Sequence, residues 1–187
     1  MPDEAHLEQT AAGLAPAAGG WFTVNVRDAA WVRSETFRAA CVFEGHAAPF
    51  AQIGYTLCVL QPGQPSGLYH RETEQEDFLV LAGECLLLIE EQERRLHAWD
   101  FVHCPAGTAH IFVGAGDGPC AIFMAGARRE GAGVTYPRSP LALAHGAGVK
   151  RETSSPPEAY APFAPWRPWP PEESAGTPDD PLGLFGG

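Results

Sequence analysis

The sequence lacks any run of basic residues. Arg94-Arg95 and Arg128-Arg129 are isolated pairs, and 12 Lys and Arg stand against 23 Asp and Glu, a net charge of −11. An acidic surface repels phosphate backbones, so a nucleic-acid partner is excluded. Long apolar stretches are missing too: none approaches the roughly 18 residues of a membrane span, so no membrane partner is expected. The opening Met1-Pro2-Asp3-Glu4-Ala5 carries acid where a secretory signal would carry base, and no continuous apolar run follows. A cytoplasmic location is the expectation. No Cys-x-x-Cys occurs; the five cysteines (Cys41, Cys58, Cys85, Cys104, Cys120) are odd in number. Four of them lie in apolar strand-like runs, which predicts free buried thiols. There is no internal repeat and no convincing long helix.

What is present is a single domain's length, 187 residues, with an ordinary 45% hydrophobic content. Such a chain can bury a sizeable core without staples. Glycine and proline punctuate a series of short β-prone runs: Trp21 to Val26, Cys41 to Phe43, Ile53 to Leu60, Asp77 to Gly83, Glu84 to Ile89, Phe101 to Cys104, Ala109 to Val113 and Cys120 to Met124. Acidic Glu90 to Glu93 reads as a hairpin tip. Strands at this spacing predict an all-β sandwich or barrel. Residues 1–20 are Ala/Gly/Pro-rich and read as a loose arm, residues 21–130 as the β-barrel, and 131–187 as a C-terminal extension. Eleven of the 18 prolines lie from Pro137 onward. Pro156-Pro157 and Pro170-Pro171 are expected to bar regular helix or central strand. The spaced aromatics Tyr160, Phe163, Trp166 and Trp169 suit a segment that lies on its own barrel or on a partner subunit; disorder is the other reading.

Two segments carry chemistry. His70 and Glu72 are two apart and share a strand face. A strand beginning near Glu76 can bring a second carboxylate beside them, and His110 follows the tight turn Pro105-Ala106-Gly107. Two imidazoles and two carboxylates offer four ligands to one divalent ion. Nitrogen and oxygen donors without thiolate suit iron, manganese, nickel or zinc. Without a cation, two neighbouring buried carboxylates would drive one pKa up. On the strand of Glu76, Phe78 and Val80 share its face, and Phe112 shares that of His110. Tyr55 and His103 join them as expected pocket residues, His103 as a proton carrier or as an ordinary strand residue. The opposite faces, Leu79 and Leu81, and Ile111 and Val113, are also apolar, so something must cover them: a second subunit or the aromatic tail.

Both segments resemble the two motifs of the cupin superfamily. Glu76 has six residues between it and Gly83, and Glu72 and His70 stand where that motif has its two histidines. Pro105-x-Gly107 precedes His110 at the motif's distance. The resemblance covers roughly residues 40–127. Four positions depart from it. Glu72 replaces the second histidine, Gly63 lies one residue too far from His70, Trp99 replaces an opening glycine, and Gly114 replaces a closing asparagine. The resemblance implies a jelly-roll-like cupin β-barrel, metal ligands His70, Glu72, Glu76 and His110, a small-molecule ligand and a homodimer. It is compatible with an enzyme of oxygenase (dioxygenase), decarboxylase or isomerase and lyase type. A non-catalytic module binding metal or a small ligand, and a structural role centred on the tail, are the competing readings; fold analogy does not choose among them.

Overall fold

A computed structural model describes residues 1–169. Its strands in chain order are β1 (Leu7–Thr10), β2 (Gly13–Pro16), β3 (Ala30–Arg33), β4 (Ala39–Val42), β5 (Ile53–Leu60), β6 (Arg71–Glu72), β7 (Glu76–Ala82), β8 (Glu84–Ile89), β9 (Gln92–His97), β10 (Phe101–Cys104), β11 (His110–Ala115), β12 (Cys120–Ala127), β13 (Val134–Thr135) and β14 (Arg167–Pro168). Two short helices, α1 (Pro140–Ala144) and α2 (Pro156–Tyr160), lie in the C-terminal extension.

Pairing between the named strands is antiparallel. One sheet runs β10-β7-β12-β5-β4-β3-β14 and a second β11-β8-β9, with small pairs β1-β2 and β13-β6. The fold is the expected all-β jelly roll, but as two facing sheets: among the described residues, strand pairing does not close a continuous ring. On one side the gap is bridged by the chain before β6, where Ser66 N–H donates to Phe112 O (2.8 Å), and His70 and His110 exchange backbone hydrogen bonds at 3.2 and 2.8 Å.

Alternation along the strands sorts side chains to two faces. Cys58, Leu60, Phe78, Val80, Cys85, Leu87, Val102, Cys104, Phe112, Cys120 and Ile122 point between the sheets and form the inner core. All five cysteines are free and buried, as expected. The outer face of the large sheet carries Trp31, Cys41, Leu57, Val59 and Ala121, sheltered by Val24, Val26, Phe43 and Trp169. The outer face of the small sheet is covered by the chain itself. Leu88, Ile111 and Val113 are buried against Leu141 and Ala142 of α1, together with Ala147.

Three expectations need correction. Residues 1–20 are not a loose arm: β1 and β2 form a hairpin. At its turn, Gly13 passes so close to Ala29 O that a Cβ would stand 2.2 Å away. Trp21 to Val26 is not a strand. Trp21 makes one isolated bridge to Glu4, and then the Asn25 side chain accepts from Arg27 N–H at 2.9 Å, a local Asx turn that competes with extended pairing. Pro156-Pro157 does not bar a helix. The pair opens α2, where a proline costs no intrahelical hydrogen bond, behind the N-cap Ser155. Pro170-Pro171 lie outside the described residues.

The extension lies on its own domain as far as Trp169. Phe37 receives Phe163 and Tyr160 at ring-centroid distances of 4.8 and 5.5 Å. β14 pairs with β3, and the Trp169 indole meets Trp31 edge-on at 6.1 Å.

Candidate metal centre

Each side chain of the cluster is aimed by its own local device. Glu76 begins β7, opposite Cys104 on β10 and Gly126 on β12. His110 begins β11 after the Pro105-Ala106-Gly107 turn, in which Gly107 has φ 84° and donates its N–H to Glu72 O at 2.7 Å. The preceding residue is held by the hairpin tip: Ala109 N–H donates to Glu90 Oε1 at 2.6 Å. The expected tip consists of Glu90 and Glu91, both at positive φ, the conformation of a two-residue hairpin turn. His70 is locked to His110 by their backbone pairing.

His110 Nε2 lies 3.5 Å and His70 Nε2 3.9 Å from Glu76 Oε2. These three residues each offer a donor atom within 4.8 Å of the others. Nδ1 of His70 lies 2.7 Å from Leu68 O, and Nδ1 of His110 lies 3.0 Å from Thr108 O. A carbonyl can only accept, so each Nδ1 carries the proton and each Nε2 presents a lone pair to the centre. Backbone carbonyls holding the far nitrogen are the usual support of a metal-ligating imidazole. Two atoms bound to one ion at about 2.1 Å stand roughly 3.0–3.5 Å apart, near the spacing here. The donor set therefore fits a divalent cation.

Electrostatics agree. Burial, then the His110 charge, pushes His70 down to about 4. Burial also lowers His110. Both rings are neutral at pH 7, the form that ligates. Burial, reinforced by Glu72, pushes Glu76 up to about 8, so the protein on its own leaves this site short of positive charge. Glu72 is likewise raised, chiefly by burial.

The remaining expected residues separate into groups. Glu72 Oε1 is 3.9 Å from His70 Nε2, but Glu72 is outside the tight group of three and its side chain is 37% exposed. Glu74, two residues beyond Glu72 and not among the expected ligands, lies 3.2 Å from Arg129 Nε. Phe78 and Phe112 form an apolar floor, 4.8 Å from each other, with Phe78 5.1 Å from the His110 ring. Val80 is fully buried, deeper in the core. Tyr55 and His103 do not line the interior. Tyr55 shares the parity of Leu57 and Val59 and stacks on Phe123 on the outer face, at 5.8 Å. On β10, Val102 and Cys104 point inward, which turns His103 outward to a 2.6 Å contact with Asp77 across the strand pair. Parity counted along each strand would have placed both correctly.

Two residues near the site escaped sequence reasoning. Tyr136, in the extension, is buried with its ring 6.1 Å from His70. Burial, then Tyr160 and Glu72, pushes its phenol up to about 12. Arg38 precedes β4 and its charge opposes protonation of both Glu76 and His70. Both lie outside the metal-ligand motifs, and nothing local in the sequence marks them.

The departures from the cupin motif have structural reasons. Trp99 stands where a glycine is usual and adopts φ 75°, the left-handed conformation that favours glycine. A Cβ on Gly114 would come within 2.1 Å of Gln61 O, so the usual asparagine has no room.

Comparison with known proteins agrees with this architecture. The family model described as Cupin domain matches residues 56–126. Among solved structures, a sugar phosphate isomerase of the cupin superfamily from Silicibacter pomeroyi is 30% identical, with a TM-score of 0.46 over 52% of this chain and 63% of that one. The present chain thus spans less than two thirds of that protein. A Cupin 2 conserved barrel domain protein from Salinispora arenicola is 24% identical (TM-score 0.47; 53% and 82% covered). The polyketide cyclase RemF from Streptomyces resistomycificus is 15% identical (TM-score 0.50; 59% and 82%) and shares the fold. No curated protein matches the chain. With both cupin segments in place and the family model spanning them, residues 56–126 form a cupin domain.

Proposed function

We propose that the protein is a metal-dependent enzyme acting on a small molecule held between its two sheets, with His70, Glu76 and His110 as ligands and Glu72 as a fourth. The observation that carries this is the convergence of two lone-pair-presenting imidazoles and one buried carboxylate from three separate segments. Two histidines and a carboxylate leave coordination positions open, a pattern suited to iron and compatible with manganese, nickel or zinc. A divalent ion there supplies Lewis-acid or redox chemistry. The chain's own residues supply the rest. Phe78 and Phe112 exclude water from below, the Leu68 and Thr108 carbonyls fix the imidazoles, and Tyr136 stays a neutral phenol beside His70.

Oxygenase, decarboxylase and isomerase chemistry all fit this arrangement. Metal analysis of the purified chain tests the reading: about one equivalent of a transition metal is expected. A chain that carries none, and takes up none when offered iron, manganese, nickel and zinc, overturns it. Water proton relaxation of the manganese form then reads whether a position is open; a filled sphere would turn the reading to storage or sensing.

A homodimer belongs to this proposal through the family resemblance alone. The Ile111 and Val113 wall no longer argues for it, since α1 covers that wall. Light scattering across concentration tests it. Five free thiols fit a reducing compartment, and the proposal places the protein in the cytoplasm.

A further inference from the structure

Arg38 stands out against the rest of the charged residues. On β4, Ala39 and Cys41 face the outer cluster, while Ala40 pairs with the inward-facing Cys58. The residue before Ala39 therefore shares the inner parity, and Arg38 enters between the sheets from the end of that strand. Its Nη1 donates to Ser66 O, and its guanidinium lies 5.4 Å from the Trp166 ring centroid. Its Nε is the only fully buried side-chain nitrogen or oxygen without a hydrogen-bond partner among the described residues. None of the ion pairs among the described residues includes Arg38. Among the described residues, no carboxylate has been brought to this cation.

An unpaired guanidinium turned into the interior is costly unless something pairs with it. The local backbone is shaped around it. Gly67 has no side chain where a Cβ would stand 3.0 Å from Tyr160 Oη and 3.5 Å from Arg38 Nη1. Tyr160 Oη in turn accepts from Leu68 N–H at 3.1 Å, two residues before His70. Ser66, which accepts from Arg38, donates its own N–H to Phe112 O, two residues beyond His110, so Arg38 meets the segment that borders the metal ligands.

We propose that Arg38 is the anion anchor of this site: the ligand is a small carboxylate or phosphoryl compound whose oxyanion pairs with the free edge of the Arg38 guanidinium. The planar Nε and Nη2 edge matches two oxygens of such a group. The inference rests on the interior being the ligand site and adds the chemical class of what binds there. A cation at the cluster and a second at Arg38 together favour an anion over a neutral ligand. In this arrangement Arg38 is a binding residue; Trp166 and the Ser66 carbonyl position it.

The test is calorimetric titration of the full chain with malonate and with inorganic phosphate, sodium chloride serving as control, in the presence and absence of manganese. Saturable binding of at least one of the two oxyanions is expected, weakened at least tenfold in Arg38→Met with metal content unchanged. Preference between malonate and phosphate identifies the class. Should Arg38→Met fail to fold, Arg38→Lys keeps the charge and loses the planar edge, and a several-fold weakening is expected. Absence of oxyanion binding by the wild-type chain, or equal binding by a folded variant, overturns the proposal. A chain that binds oxyanion through Arg38 but takes up no metal supports the anchor and refutes the metal reading. Metal uptake without oxyanion binding does the reverse.

Discussion

Glu76 Oε2 lies 3.5 Å from His110 Nε2, although β7 and β11 belong to different sheets. The contact therefore depends on the two sheets facing each other at the right distance. Either residue alone is a poor occupant of its position: a buried carboxyl pushed up to about 8, or an imidazole 2% exposed.

Replacing His110 or Glu76 by alanine should abolish stable metal uptake while the far-ultraviolet circular dichroism stays native. The loss should exceed the roughly 10–100-fold that removal of an outer-shell partner brings. Glu72→Gln should weaken uptake less than either, because Glu72 sits at the rim. His103→Ala should leave metal content unchanged, since His103 faces outward. Elemental analysis of the variants reads all four. Full metal retention by Glu76→Ala would remove the carboxylate from the ligand set.

Stability of the metal-free protein should fall between pH 6.5 and 8. Glu76 in the folded chain titrates at about 8, above its ordinary 4.5, so its proton favours folding below 4.5 and that contribution is lost as pH rises toward 8. His70 acts oppositely: its folded value of about 4 lies below 6.5, so its contribution is full above 6.5 and lost as pH falls toward 4. Above pH 6.5 Glu76 acts alone of the two, with a slope of at most about 1.4 kcal/mol per pH unit. Urea melts of wild type and Glu76→Gln at pH 6.5, 7.2 and 8 check this. A flat wild-type profile, or an equal slope in the variant, contradicts it.

Trp99→Gly should stabilise the protein by roughly 0.5–1 kcal/mol. Trp99 holds φ 75° while its side chain is 75% exposed, so glycine would relieve backbone strain and forfeit little burial. Thermal melts read the change; a destabilised variant would show that the indole has a contact worth more than the strain.

Phe37→Ala should cost about 3–5 kcal/mol. The ring is 1% exposed and joins Leu68 of the site segment to Tyr136, Tyr160 and Phe163 of the extension. Limited proteolysis should then cut between residues 150 and 169 sooner than in wild type. Unchanged cleavage there would mean the extension is held mainly by α1 and Trp169.

The sequence was most legible where spacing alone sets geometry. Glu76 and His110 begin strands, His110 after a Pro-x-Gly turn, and His70 stands just before one, so their meeting could be foreseen. Alternation likewise foretold that Phe78 and Phe112 lie inward and that Ile111 and Val113 need cover. The cover itself was not legible, because Leu141, Ala142 and Ala147 carry no strand-like pattern and join the sheet only through tertiary packing. Arg38 and Tyr136 were missed for the same reason. Their proximity to His70 comes from chain segments that approach each other in space, and no local periodicity records that.

The α1 segment has a consequence for where this protein ends as an autonomous folding unit. The family boundary falls at residue 126, yet a fragment cut there would present Leu88, Ile111 and Val113 to water as one contiguous apolar wall. Excised at its homology limits, the cupin domain would be insoluble or would recruit a foreign surface in place of Leu141 and Ala142. For this chain, the smallest piece able to stand alone therefore reaches at least to Ala147.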